Sequence, residues 1–176
     1  TGESRTRRTL GLHNIYYAGT FNMPYTFMQV KGRKIAFCAF APNAGTADIN
    51  DIDSAAALVR MLKDSADIVI VSFHGGAEGA DYRRVYKGME KYLGEKRGDL
   101  IKFSHAVIDA GADVVLGHGP HVTRAMDIYK GRIIAYSLGN FCTWGGISIA
   151  GVNGVAPLLE LRINGSGEFI DGVIHP

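Results

Sequence analysis

The chain has 176 residues, 47% hydrophobic and 20% charged, with a formal net charge of +2 at pH 7, enough for one domain with a sizeable core. So small a charge excludes a basic protein that coats nucleic acid and an acidic solvating tail. A mean hydropathy near zero, with apolar runs far short of a membrane span, excludes a transmembrane helix, and the composition excludes collagen, coiled coil and disorder.

Thr1-Gly2-Glu3-Ser4 reads as neither a signal peptide nor an ordinary translation start. Residues 4–13 read as a short basic helix. Residues 25–40 read as a β-hairpin around Lys31-Gly32-Arg33-Lys34. Asp51 or Asp53 then caps a helix to about Lys63, whose apolar positions Ala55, Leu58, Val59 and Leu62 share one face. Residues 67–73 form a β-branched apolar run, the mark of a strand buried on both faces. A glycine-rich, charged segment follows, over 74–98. A helix from Asp99 to about Ala110 carries the stripe Leu100, Phe103 and Val107 and closes on Gly111. Residues 112–116 predict the next buried strand. Residues 122–128 and 133–137 predict an antiparallel pair, and 156–163 with 168–174 a second one. The pattern is mixed α/β in a single domain over residues 1–176, with no internal repeat. Two cysteines, Cys38 and Cys142, make neither a disulfide framework nor a zinc cluster.

The chemistry gathers where strands end. The run 68–73 ends at His74, the run 114–116 at Gly117-His118-Gly119-Pro120-His121, and the run 133–137 at Leu138-Gly139-Asn140-Phe141. A helical crossover makes the first two parallel, and the hairpin return points the third the same way. All three polar ends then fall on one carboxyl edge, where α/β folds bind ligands. Imidazoles and an amide oxygen among glycines suit a transition metal there. A lone histidine is more often a hydrogen-bonded loop residue, but the strand-end place of His74 favours ligation, as the turn shaped by Gly117, Gly119 and Pro120 does for the pair His118 and His121. Asn140 reads equally as a turn cap, and Glu78 as either a general acid/base, a ligand or a solvated loop acid. His105 reads as structural, and His13 and His175 as surface. Arg83, Arg84, Lys87, Lys91, Lys96 and Arg97, interleaved with tyrosines, read as a solvated helix face or as a lid that attracts an anionic substrate. No Walker loop, dinucleotide fingerprint or nucleophile elbow is present.

Four segments resemble the bacterial capsule-synthesis proteins of the CapA type, linked to poly-γ-glutamate capsules. These are Ile70-Val71-Ser72-Phe73-His74-Gly75-Gly76-Ala77-Glu78, Val107-Ile108-Asp109-Ala110-Gly111-Ala112-Asp113, Gly117-His118-Gly119-Pro120-His121-Val122, and Tyr129-Lys130-Gly131 through Tyr136-Ser137-Leu138-Gly139-Asn140-Phe141. The resemblance implies an α/β fold, part of a metallophosphoesterase-like layered αββα sandwich, with this chain as its C-terminal portion and the N-terminal half missing. It implies two divalent metals (Mn, Zn or Fe), partly dependent on that half, with His74, His118 and His121 as ligands. Pro120 departs from the metallophosphoesterase spacing by one residue, which leaves each histidine's metal unassigned. Glu78 and His121 are the implied catalytic residues, and Asn140, Arg83 and Arg84 the implied substrate contacts.

The function so implied is capsule-polymer biosynthesis by metal-dependent hydrolysis of a phosphoester or polymer amide. The alternative is a non-catalytic factor that binds the anionic polymer, with a degenerate metal site. The implied partners are an anionic polymer or phosphorylated substrate and the missing half or another chain, with no nucleic acid. The implied location is the cell surface or outside the cytoplasm, with any membrane contact through a segment not in this sequence.

Overall fold

The computed structural model describes residues 2–143 and 145–176. Helix α1 (Gly2–Leu12) is polar, and its exposed Glu3 and half-buried Arg7 pair at i,i+4, 3.6 Å apart. Strands β1 (Tyr25–Val30) and β2 (Arg33–Phe40) pair antiparallel across Lys31-Gly32, both at positive φ, as a two-residue turn matched to strand twist requires. Asp51 caps α2 (Ile52–Lys63) by accepting from the Ser54 amide at 3.1 Å. Strand β3 (Ile68–His74) follows, then a winding segment over 75–98. Its only regular pieces among the described residues are one 3₁₀ turn and the two-residue strands β4 (Lys91–Tyr92) and β5 (Glu95–Lys96). The basic run there is therefore not a helix face. Its glycines and two ion pairs folded inward, Arg97 with Glu78 and Glu90 with Arg124, fix it as a loop.

Asp99 caps α3 (Leu100–Asp109) through the Lys102 amide at 3.1 Å, and Gly111 takes φ +115° just past the helix. Strands β6 (Val114–His118), β7 (Met126–Tyr129) and β8 (Arg132–Ala135) complete one six-stranded sheet in the order β1-β2-β3-β6-β8-β7. The pairs β2/β3, β3/β6 and β6/β8 are parallel, and both edges are antiparallel. Strand β7 starts later than the alternation suggests, at Met126 rather than Val122. Val122 and Arg124 turn inward as buried residues, and before the ladder starts the segment is tied by the bridge Thr123↔Leu138 and by the bonds from the Arg124 amide to the Ser137 carbonyl and from the Tyr136 amide to the Ala125 carbonyl. Strands β9 (Leu158–Ile163) and β10 (Phe169–His175) form a separate hairpin.

Strand parity decides what each face meets. Val69, Val71, Phe73, Val115 and Ile134 form one core cluster with Val59 and Leu62 of α2 and Phe103 and Val107 of α3. There the rings of Phe40 and Phe73 meet Phe103 edge to face, at 5.4 and 5.7 Å. Full burial of each such side chain contributes about 1.5–3 kcal/mol. The opposite face carries Leu116 and Ile133, which line hollows shared with Leu159 and Leu161 of the β9–β10 hairpin. Helices, sheet and hairpin thus stack as three layers, and the strand-end histidines stand on the hairpin side.

Candidate active site

His74 closes β3 and His118 closes β6, and the two are Cα partners across the parallel pair. Both rings therefore leave the same face from strands about 4.8 Å apart. Glycine makes this approach possible. A Cβ on Gly117 would lie 2.4 Å from the Phe73 ring and from the Tyr136 carbonyl oxygen, and one on Gly119 would lie 2.5 Å from the Gly75 carbonyl oxygen. The Gly75 amide in turn donates to the His118 carbonyl at 2.8 Å, carrying the ladder past the strand ends.

His121 sits at φ +58°, sparsely populated for a non-glycine residue. Its carbonyl accepts from the side-chain amides of Asn140 (3.0 Å) and Asn153 (3.2 Å). Asn140 Nδ2 also donates to the Asn153 carbonyl at 3.1 Å, so its Oδ1 is the atom left to face His121 Nδ1, at 2.7 Å. An acceptor at that place makes Nδ1 the protonated nitrogen and leaves the Nε2 lone pair free. Nε2 lies 3.7 Å from Glu78 Oε2, while Glu78 Oε1 accepts from Arg97 Nη2 at 2.7 Å. The same Arg97 nitrogen is 3.1 Å from His74 Nε2. One run of contacts thus joins His74, Arg97, Glu78, His121 and Asn140.

Desolvation lowers the His74 pKa first and the Arg97 charge lowers it further, against a smaller opposing effect of Glu78. Burial likewise lowers that of His118. Both rings are therefore neutral at pH 7. His118 stands between two hollows. One, of about 450 Å³, is shared with His74, Ser72 and Thr20, and the other, about 380 Å³ and apolar, is walled by Leu116, Leu138, Phe141 and Leu158.

Among the described residues, no group of three or more His, Cys, Asp or Glu side chains is close enough to hold a metal ion unaided. The donor chemistry fits as part of a site. His121 presents a free Nε2 with Nδ1 tied to an amide oxygen, the outer contact that orients metal-bound imidazoles. His74 is neutral, as a ligand must be. A cation held here would need donors beyond those gathered.

Of the residues singled out in the sequence, His74, Glu78, His118, His121 and Asn140 come together. Arg83 and Arg84 are exposed and line a separate hollow of about 470 Å³ with Asp81 and Tyr86. His105 stacks on Tyr129 with ring centroids 3.8 Å apart, and His175 pairs with Glu160 at the surface. Sequence reasoning named Arg97 only as one of the basic run, and missed its buried role as well as Glu90, Arg124 and Asn153. Arg97 looks like its basic neighbours, and the other three carry no local motif. Arg124 and Glu90 form a buried bidentate pair at 2.8 and 2.9 Å. Arg124 also donates to the Ala77 and Tyr82 carbonyls, while Glu90 accepts from the Ala77 amide at 2.9 Å. The residue before Glu78 is clamped on both its backbone groups.

The family model for "Bacterial capsule synthesis protein PGA_cap" matches residues 1–143. The chain is 39% identical over 79 residues to the capsule biosynthesis protein CapA of Bacillus anthracis, covering 45% of this chain and 16% of that protein. It is 32% identical over 112 residues to the PGA biosynthesis protein CapA of Bacillus subtilis (strain 168), covering 64% and 26%. It thus spans about a quarter or less of the length of these relatives. Among solved structures, a hypothetical protein from Thermus thermophilus aligns with a TM-score of 0.42 at 18% identity, covering 66% of this chain and 38% of that one.

Proposed function

The chain belongs to the bacterial capsule synthesis protein family PGA_cap, and from that premise we propose that its histidine edge performs hydrolysis on a capsule polymer of the poly-γ-glutamate type. The observation that carries this reading is the continuous contact run from His74 through Arg97 and Glu78 to His121 and Asn140. The bond cut is a phosphoester or a polymer amide. The location is the cell surface or outside the cytoplasm, in keeping with the family. No helix among the described residues is long and apolar enough to cross a membrane.

His121 is the proton carrier. Asn140 fixes its ring so that Nε2 can take a proton from water or give one to a leaving group, and the Glu78 carboxylate 3.7 Å away stabilises the imidazolium so formed. In the metal-free chain Arg97 holds Glu78 in place. His74 and His118 would hold a divalent cation, with further donors from outside the described residues; His121 would join them only while Nε2, its one free lone pair, carries no proton. When bound, such a cation supplies Lewis-acid activation of water and of the substrate oxygen. Arg83 and Arg84, on the exposed loop, would draw the anionic polymer towards the edge by charge.

Measured on the protein as its gene encodes it, His74→Ala and His121→Ala should each lower polymer or phosphodiester hydrolysis at least ~100-fold, and His74→Ala should also reduce bound divalent metal. Unchanged turnover after both substitutions would exclude hydrolysis at this edge. A second reading, a polymer-binding factor without turnover, is favoured by the lack of a complete three-donor group among the described residues. Polymer binding with neither turnover nor metal, in the unsubstituted protein, would establish it instead.

A further inference from the structure

We propose that Arg97 occupies the place of a cation between His74 and Glu78, so that a divalent metal can bind this pair only by displacing its guanidinium. This rests on the reading of His74 as a ligand and goes beyond it by naming the group that sets the affinity of the site. Arg97 lies in a run of surface charge, yet it is only 4% exposed. One of its nitrogens, Nη2, serves two acceptors, Glu78 Oε1 at 2.7 Å and His74 Nε2 at 3.1 Å. Its Nε donates to the Gly76 carbonyl at 3.2 Å, and Nη1 lies 3.5 Å from Oε2 of the exposed Glu95.

The chemistry excludes joint occupancy. A guanidinium has donors and no acceptor, so His74 Nε2 must present its lone pair and the ring must carry its proton on Nδ1. That lone pair is the one a metal would take, at about 2.0–2.1 Å. His74 is thus held in the tautomer that frees Nε2 for a metal, with a monovalent group in the way. Arg97 is a positioning residue, and its charge opposes a divalent ion at close range even where solvent screens it. Displacement leaves the Nε bond to Gly76 as a pivot and Glu95 as the partner at the rim.

Zinc alone, titrated into the 176-residue chain against a chromophoric chelator, tests this. Arg97→Met should bind zinc at least ~10-fold more tightly than the unsubstituted chain, and Arg97→Lys should fall between them. Equal or weaker binding by Arg97→Met would overturn the inference. If zinc binding to the unsubstituted chain is then still abolished by His74→Ala, the proposed metal edge survives. Zinc bound by neither the unsubstituted chain nor Arg97→Met would bring down both. A second measurement needs no variant. Imidazole ¹⁵N shifts of the metal-free chain should show His74 as the Nδ1–H tautomer, and finding the Nε2–H tautomer would refute the arrangement.

Discussion

At the scale of single residues, the site depends on imidazoles that stay neutral. His74 and His118 both have pKa values lowered in the fold, chiefly by desolvation. In the unfolded chain they return to the ordinary value of 6.5, so between the lowered values and 6.5 the unfolded state binds more protons. Stability is then fully present above about pH 6.5 and falls as pH drops below it. Urea midpoints at pH 7.5 and 5.5 should show that loss, and His74→Gln should make it smaller. An equal loss in the variant would mean that His74 is no more shielded than a surface ring. The residues of the contact run were legible in sequence where glycine and proline frame them, as at Gly117-His118-Gly119-Pro120-His121, because close backbone approach demands those residue types. Arg97 was not legible. Its role comes from a loop that folds it inward, and nothing in a basic run says which member is buried.

At the scale of elements, the loop over 75–98 is held by charge rather than by secondary structure. Arg124 and Glu90 have side chains 0% and 5% exposed, bridge bidentately, and together grip both backbone groups of Ala77. Removing one partner leaves a buried charge unpaired, which costs about 3–5 kcal/mol, whereas replacing both by apolar residues of similar volume costs far less. Glu90→Gln and Arg124→Met should each destabilise by about that amount in chemical unfolding, and the double change Glu90→Leu with Arg124→Met should recover much of it. Single variants within about 1 kcal/mol of the unsubstituted chain would show that the pair does not hold the loop. The regular elements were largely legible because their periods are clean. Asp51 and Asp99 cap helices at the expected places, and the Ala55, Val59 and Leu62 face is buried. The loop was not, since its tertiary ion pairs override the helical look of its charges, and the same inward turn of Arg124 delays β7.

At the scale of the whole molecule, the two β units differ in what supports them. The six-stranded sheet buries one face under α2 and α3 around Phe73 and Phe103. The β9–β10 hairpin lies beyond residues 1–143, which the family model matches, and it leaves Leu158, Ile170, Val173 and Ile174 more than half exposed. It meets the sheet over an apolar groove of about 430 Å³ lined by Met126, Ile128, Ile133, Leu159, Leu161 and Phe169. Polar ties fix its margins: the Phe169 amide to the Gly131 carbonyl at 2.8 Å, Arg132 to the Ser166 carbonyl at 2.6 Å, and Thr123 to the Val155 carbonyl at 2.7 Å. A two-stranded hairpin is marginal in water without further burial, so this unit should open locally while the sheet stays folded. Because Leu158, Leu159 and Leu161 also wall the hollow beside His118, each opening would widen the approach to the histidine edge. Native-state hydrogen exchange should find the β9 and β10 amides exchanging at least ~100-fold faster than those of β3 and β6. Substituting Leu161 by Asp should speed the hairpin amides further and leave β3 unchanged. Equal protection in both units would show instead that hairpin and sheet unfold as one body, with access to His118 set by the static hollow alone.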